Sequence, residues 1–157
     1  MPAITPWLWF DMNAQEAAEY YITVFPNSRI LKVTPYPEDS PVPAGTALTV
    51  EFELDGTRFS GLNGGPQFRF NEAVSFAIDC ADQDEVDHYW DALIADGGEE
   101  SQCGWLKDRF GVSWQVVPRR LGELMSDPDL GVVQRVSDAL MKMHKIEVPV
   151  LEEAARG

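Results

Sequence analysis

Two stretches of this sequence carry the same pattern and decide the fold: DMNAQEAAEYYITVF at residues 11–25 and DCADQDEVDHYWDALI at residues 79–94. From Asn13 and Asp82 onward they match at a constant offset of 69 residues. In both, a residue with a short polar side chain precedes a glutamate by three positions, which is a signature of helix N-termini. Apolar and aromatic residues then recur at helical spacing. We therefore predict one amphipathic helix in each copy.

A second repeated segment follows each predicted helix. FGVSWQ at 110–115 resembles DGTRFS at 55–60 with an offset of 55, and the glycines and aromatic residues coincide. The first copy therefore holds 14 more residues, and a proline-rich segment at 36–45 accounts for them. Alternating apolar residues predict strands at 4–10, 28–36, 46–54 and 57–63, and again at 73–80, 99–102, 104–108 and 112–118. The chain thus repeats a unit of one strand, one helix and three strands.

We expect the 157 residues to form a single domain. Its predicted parts are a first module at about 3–63, a linker at 64–72, a second module at 73–118 and a helical tail at 120–157. The tail carries an apolar stripe with helical spacing, formed by Val133, Val136, Leu140 and Met143. This stripe has two possible positions, against its own sheet or against a second subunit. We favour the first, because terminal helices usually dock on their own core.

Composition and charge exclude several classes of partner. The formal net charge is −14, which repels phosphate backbones and argues against nucleic-acid binding. No apolar run is long enough to cross a bilayer, and the N-terminus lacks the features of a signal peptide. Cys80 and Cys103 form no Cys-x-x-Cys motif, so we expect reduced thiols. These observations together predict a cytoplasmic protein without a nucleic-acid or membrane partner.

Five further segments are characteristic: TPWLWFD at 5–11, LNGGP at 62–66, FNEAVSF at 70–76, CGWLKDRFG at 103–111 and SWQVVP at 113–118. Together they resemble the PhnB-like branch of the vicinal oxygen chelate superfamily, which includes the glyoxalases and bleomycin-resistance proteins. Members of this branch are often named 3-demethylubiquinone-9 3-methyltransferase. The resemblance covers about residues 3–118. It implies an α+β fold of two βαβββ modules, whose antiparallel or mixed sheets curl around a cavity, and it implies a homodimer.

The resemblance also implies four positions that hold a divalent ion in the metal-using members of the superfamily. Counted onto this sequence, they are occupied by Ile4, Ser60, Ala73 and Gln115. None of these side chains is an imidazole or a carboxylate, which transition metals need. We therefore predict neither a metal nor another cofactor. The two histidines, His88 and His144, lie on predicted helices and are interpreted as surface or packing residues.

Side chains in step with these four positions are predicted to face the cavity. The candidate ligand-binding residues are Leu8, Phe10, Ser60, Leu62, Ser75, Ala77, Ser113 and Gln115. The first module would supply an apolar wall and the second a wall of small polar groups, a mixture that suits an organic ligand. Trp105, Lys107 and Phe70 are candidates for the rim, with a purely structural role as the alternative.

Three functions remain open. The first is metal-free binding of a small, partly aromatic molecule. The second is a superfamily enzyme, such as a lyase, isomerase or dioxygenase, with a metal on unexpected ligands. The third is the methyltransferase of the family name, although the sequence has no glycine-rich turn for S-adenosylmethionine. We favour the first and assign no catalytic residue, because Cys103, Asp79 and Asp108 are better explained by structural roles.

Overall fold

The computed structural model describes residues 4–157, and the chain divides into two units, Met1–Phe70 and Asn71–Gly157. The boundary falls inside the segment 64–72 that was predicted as a linker. Each unit holds one copy of the repeated pattern, and the second unit also holds the tail.

The first unit contains one helix and a four-stranded mixed sheet. Its elements are β1 (Trp7–Phe10), α1 (Ala14–Val24), β2 (Arg29–Pro35), β3 (Ala47–Leu54) and β4 (Thr57–Asn63). The strand order is β1-β4-β3-β2, with β1 parallel to β4 and the other pairs antiparallel. Asp55 and Gly56 join β3 to β4 with φ angles of 44° and 87°. Two consecutive positive φ angles are typical of a tight hairpin turn, as Asp-Gly between apolar runs predicts.

The second unit repeats this topology in shorter strands. Its elements are β5 (Ser75–Cys80), α2 (Gln83–Ile94), β6 (Glu99–Glu100), β7 (Trp105–Lys107) and β8 (Ser113–Pro118). The order β5-β8-β7-β6 matches the first sheet strand for strand. The predicted α+β fold of two βαβββ modules with C-terminal helices is therefore confirmed.

The two repeated helices begin in different ways. Asp82 Oδ1 accepts a hydrogen bond from Glu85 N at 3.0 Å, as the spacing predicts. Asn13 makes no such bond with its side chain, so the predicted side-chain cap is wrong for α1. The buried Asn63 of β4 replaces it, because its Oδ1 accepts a hydrogen bond from Ala14 N at 2.8 Å. A residue 49 positions away in the sequence thus accepts a hydrogen bond from one of the unpaired backbone N–H groups at the N-terminus of α1.

One face of each sheet forms a core with its helix. In the first unit, α1 buries its alanine-rich face and Tyr21. This face packs on the side of the sheet where Val50 and Phe52 of β3 are fully buried. In the second unit the buried side chains of α2 are Val86, Tyr89, Trp90 and Leu93. The other face of each sheet carries polar and aromatic residues, and it is the face on which a ligand site can form.

The tail forms three helices and a small core of its own. They are α3 (Arg119–Met125), α4 (Leu130–Leu140) and α5 (Val148–Arg156), and α5 has no counterpart among the predicted elements. Val136 and Met143 of the predicted stripe are buried in a cluster that also contains Leu124, Ile146 and Leu151. These two residues therefore pack within the chain, but in a cluster of tail residues that contains no strand residue, and not against the sheet as predicted. Among the described residues, no helix is both long and apolar enough to span a bilayer.

Candidate functional site

The face of the second sheet opposite α2 brings together four of the predicted site residues. Ser75 pairs with Ser113, and Ala77 pairs with Gln115, across β5 and β8. Directly paired residues point to the same side of a sheet, so these four side chains share one face. Trp105 pairs with Gln115, and Lys107 pairs with Ser113, which adds both to the same face.

The first sheet presents a matching face but with a different set from the predicted one. Trp7 pairs with Ser60, and Trp9 pairs with Leu62. Leu8 pairs with Gly61 instead, and a Cβ on Gly61 would lie 3.2 Å from Ala14 Cβ of α1. The face shared with Ser60 and Leu62 therefore carries tryptophans.

The prediction that Leu8 and Phe10 share a face with Ser60 and Leu62 is wrong. Leu8 and Phe10 are only 7% and 1% exposed and lie on the side of the sheet that packs against α1. Phe70, a candidate for the rim, makes an edge-to-face contact with Phe10, with ring centroids 5.2 Å apart. Phe10 belongs to the core of the first unit, and the half-buried Phe70 packs against it.

The error has a local cause at the end of β1. The pairing partners show that β1 and β5 correspond at an offset of 70 residues, whereas the helix starts correspond at 69. The first unit therefore has one extra residue between strand and helix. Met12, in this connection, has a φ angle of 62°, a conformation that is uncommon for a residue with a side chain. A slip of one residue moves every side chain of the strand to the other face.

The same shift applies to the first of the four metal-ligand positions. Ile4 is 84% exposed and lies before β1. At an offset of 70, the counterpart of Ala73 is residue 3, which lies outside the described residues and is an alanine in the sequence. Its side chain has no ligand atom either.

On neither face do the predicted ligand positions fit a divalent transition metal. Gln115 Nε2 donates to Ser75 Oγ at 2.9 Å, so the amide and hydroxyl are bonded to each other. In the first sheet Ser60 has one carboxylate beside it, that of Glu51 on β3. No three histidine, cysteine or acidic residues within 4–157 are grouped so that they could hold a metal ion. Within each sheet, the neutral hydroxyl and amide groups at the predicted ligand positions lack the charge that such ions require.

Each open face carries a small pocket. The first, of about 180 Å³, is lined by Trp7, Glu51, Arg58 and Ser60 among others. The second, of about 130 Å³, lies over β6 and β7 and includes Lys107 and Ser113. Both pockets combine a tryptophan with charged and hydroxyl groups, which are the usual parts of a site for an organic molecule.

Lys107 and Glu72 form an ion pair at the second pocket. Lys107 Nζ contacts Glu72 Oε1. The hydrogen bond from Lys107 lowers the pKa of Glu72 below its usual range, and the same bond raises the pKa of Lys107. Both groups are therefore charged at neutral pH.

The residues considered for catalysis have structural partners. The Asp108 carboxylate is buried and accepts hydrogen bonds from Phe110 N, Val112 N and Trp114 Nε1 at 2.9, 3.0 and 2.8 Å. Asp79 accepts a hydrogen bond from Arg119 Nε at 2.8 Å. Asp108 therefore holds the turn between β7 and β8, and neither carboxylate is a free base.

The two histidines and Cys103 are not among the residues that line these two pockets. His88 lies on α2, as predicted, but His144 follows α4 in an irregular segment, so its predicted helical position is wrong. His144 Nδ1 lies 2.7 Å from Ser101 O. Cys103 Sγ contacts Met141 Sδ at 3.8 Å.

Comparison with known protein families identifies the family of this chain. Residues 2–117 match the family model described as 3-demethylubiquinone-9 3-methyltransferase. The chain belongs to this family. No curated protein matches the sequence significantly. The tail after residue 117 lies outside the family match, although its core packs within the second unit.

Solved structures share the fold of this chain. The PhnB protein from Bacillus cereus is 30% identical, with a TM-score of 0.69, and the match covers 74% of this chain and 99% of that one. Protein PA1353 from Pseudomonas aeruginosa is 22% identical over 75% of this chain and 98% of that one, with a TM-score of 0.61. The fosfomycin resistance protein FosX from Mesorhizobium loti is 10% identical over 73% and 89%, with a TM-score of 0.50. The last two similarities concern the fold alone.

The sequence prediction missed several residues of the open faces. Trp7, Trp9 and Glu51 emerge only from the strand pairing, as does Glu99, which pairs with Lys107. Side chains alternate between the two faces of a strand. Had the extra residue before α1 been recognised, this alternation would have placed the two tryptophans of β1 on the same face as Ser60. Glu99 has no sequence signal, because β6 contains only two residues.

Proposed function

We propose that this PhnB-like protein binds a small organic molecule on its open sheet faces without a metal ion. The observation that carries the proposal is the bond between Gln115 and Ser75 at 2.9 Å, at a position where metal-using relatives need an anionic ligand. A neutral amide and a hydroxyl bind hydrogen-bonding organic groups rather than transition metals.

The neighbouring side chains support an organic ligand with an apolar body. Trp7 is 59% exposed on the first open face, beside Ser60 and the charged groups Glu51 and Arg58. Trp105 lies beside Gln115 on the second open face. Aromatic rings supply contact area, and a few polar groups fix the orientation of the ligand.

The methyltransferase activity in the family name has no support from these units. A site for S-adenosylmethionine usually has a glycine-rich turn directly before a helix. In this chain the glycine pair Gly64 and Gly65 follows β4, and the next described helix is α2, which begins after β5. We therefore favour ligand binding over methyl transfer as the function, and S-adenosylmethionine serves as one probe in the test.

We further propose that the protein acts in the cytoplasm as a homodimer. Both cysteines, buried Cys80 and partly exposed Cys103, are free, which suits a reducing compartment. The net charge of −14 makes nucleic acid an unsuitable partner. Sedimentation analysis of the purified chain would measure the subunit number.

The test is a stability screen of small aromatic and quinone-like compounds, with S-adenosylmethionine included. A compound that binds only the folded state raises the unfolding temperature. We expect the substitution Gln115→Leu to weaken any compound found on the second face by about tenfold, the effect of losing one hydrogen bond in a partly buried site.

The matched control is Gln134→Leu on the exposed side of α4, where the same change should leave affinity unaffected. Elemental analysis of the same sample should find less than one transition metal ion per chain. A stoichiometric ion, or an affinity that Gln115→Leu leaves unchanged, would contradict the proposal. A shift with S-adenosylmethionine would favour the methyltransferase.

A further inference from the structure

The pocket of about 130 Å³ in the second unit contains a buried hydroxyl group with no partner. We call it the Ser113 pocket, and its polar lining includes Glu72, Glu99, Lys107 and Ser113. Ser113 is 2% exposed, and its Oγ has no hydrogen-bond partner among the described residues. Buried hydroxyls are normally hydrogen-bonded, so an unsatisfied one at a pocket points to a group that arrives from outside.

The charges around this hydroxyl favour a cation. Lys107 forms an ion pair with Glu72, so its positive charge is already matched. Glu99 faces the same side through its pairing with Lys107, and within residues 4–157 it has no ion pair of its own. Glu100 lines the pocket too, but its side chain lies on the α2 side of the sheet, because it pairs with the buried Leu106 and its Oε1 accepts a hydrogen bond from Trp90 Nε1 at 3.0 Å. The two carboxylates of Glu72 and Glu99 against one lysine leave the pocket with an excess of negative charge.

Trp105 adds a surface for the carbon part of such a cation. Its side chain lines the pocket and shares the open face with Gln115 and Lys107. The face of an indole ring attracts ammonium groups and packs well against methylene groups. A divalent metal is the wrong cation here, because the described residues include no group of three ligands that could hold one.

We propose that the Ser113 pocket binds the ammonium end of a small organic amine. The ammonium group donates hydrogen bonds to the Glu99 carboxylate and to Ser113 Oγ, and its alkyl chain lies against Trp105. The protein's net charge of −14 raises the local concentration of such cations. This inference rests on the proposed binding function and specifies the charge of the ligand.

The test titrates labelled protein with n-butylamine, n-butanol and butyrate, which share a carbon chain and differ in charge. Proton–nitrogen correlation spectra report the Trp105 indole N–H and the backbone amide of Ser113. We expect n-butylamine to shift both signals and to bind at least about tenfold more tightly than n-butanol, since hydrogen bonds to charged groups are the stronger kind. Butyrate should produce no shift at these positions.

Two substitutions make the test specific. Glu99→Gln should weaken n-butylamine about fivefold, and Ser113→Ala should weaken it by a similar factor. Glu153→Gln on the exposed side of α5 removes the same charge far along the chain, and it should leave the affinity unchanged. The spectra also show whether each variant is folded.

The outcomes separate this inference from the proposed function. Equal binding of n-butylamine and n-butanol would overturn the amine specificity while leaving organic binding intact. Equal weakening by Glu99→Gln and Glu153→Gln would also overturn it, because the attraction would then come from net charge alone. If Ser113→Ala leaves the affinity unchanged, the hydroxyl is not part of the site and the inference fails. If no organic probe of any charge shifts signals on either open face, the proposed function fails as well.

Discussion

Cys80 and Cys103 show how strongly position changes the chemistry of one residue type. Cys80, at the end of β5, is completely buried, and this burial raises the pKa of its thiol to about 12, with Glu85 adding to the effect. Cys103 is partly exposed in the loop before β7, with its Sγ 3.8 Å from Met141 Sδ. Only a thiolate reacts rapidly with disulfide reagents, so the burial and the raised pKa of Cys80 both disfavour its reaction, and Cys103 is the accessible thiol.

We predict that an aromatic disulfide reagent labels one thiol per native chain at pH 8. Cys80 remains protonated there because its pKa of about 12 lies far above the working pH. Cys103→Ser should abolish the rapid phase, whereas Cys80→Ser should leave it in place. Both thiols should react after denaturation. Two equally fast thiols in the native protein would show that β5 is less protected than its burial indicates.

At the scale of elements, Gly104 joins the second sheet to the tail. Its N–H donates to His144 O at 2.8 Å, and its φ angle is 86°. A Cβ at this position would lie 2.7 Å from Ile146 Cδ1 and 3.0 Å from Val116 O. The tail therefore approaches the start of β7 so closely that a side chain does not fit.

We predict that Gly104→Ala lowers the free energy of unfolding by about 2–3 kcal/mol, because it combines backbone strain with a steric clash. The matched control is Gly122→Ala within α3, where a Cβ meets nothing within 4 Å. That change should raise stability by about 0.5–1 kcal/mol through helix propensity. Urea denaturation of the two variants measures both effects, and a neutral Gly104→Ala would mean that the tail moves away at little cost.

At the scale of the whole molecule, the dominant feature is the charge. The chain carries 26 acidic and 12 basic residues, and ion pairs such as Arg119–Asp79 and Arg120–Glu123 join mostly exposed side chains. Exposed pairs contribute little to stability, so the remaining carboxylates repel one another across the surface. This repulsion opposes the folded state and weakens as salt screens it.

We predict that the unfolding temperature at pH 7 rises by about 2–4 °C between about 0.02 M and about 0.3 M NaCl. The control is the same comparison near pH 4.3, the isoelectric point, where the net charge vanishes and the rise should disappear. Calorimetry measures both series. A flat response at pH 7 would show that the acidic residues are spaced too widely to repel one another.

The sequence alone determined the duplicated modules, both repeated helices and the family, because these depend on periodicity and on signals within a few residues. The start of α2 is an example, since Asp82 bonds to Glu85 only three positions away. The neutral side chains of Ser60 and Gln115 were also recognised in this way. Local patterns suffice wherever the interacting partners are neighbours in the chain.

Only the tertiary structure decided which residues form the open faces. One extra residue near Met12 shifts β1 against α1, and this turns Trp7 and Trp9 outward and buries Leu8 and Phe10. The same holds for Asn63, which caps α1 from β4, for Lys107 and Ser113, which meet through strand pairing, and for Glu72, which forms an ion pair with Lys107. The physical reason is that sheet pairing joins residues far apart in sequence, and its two-residue period turns a single-residue shift into a change of face.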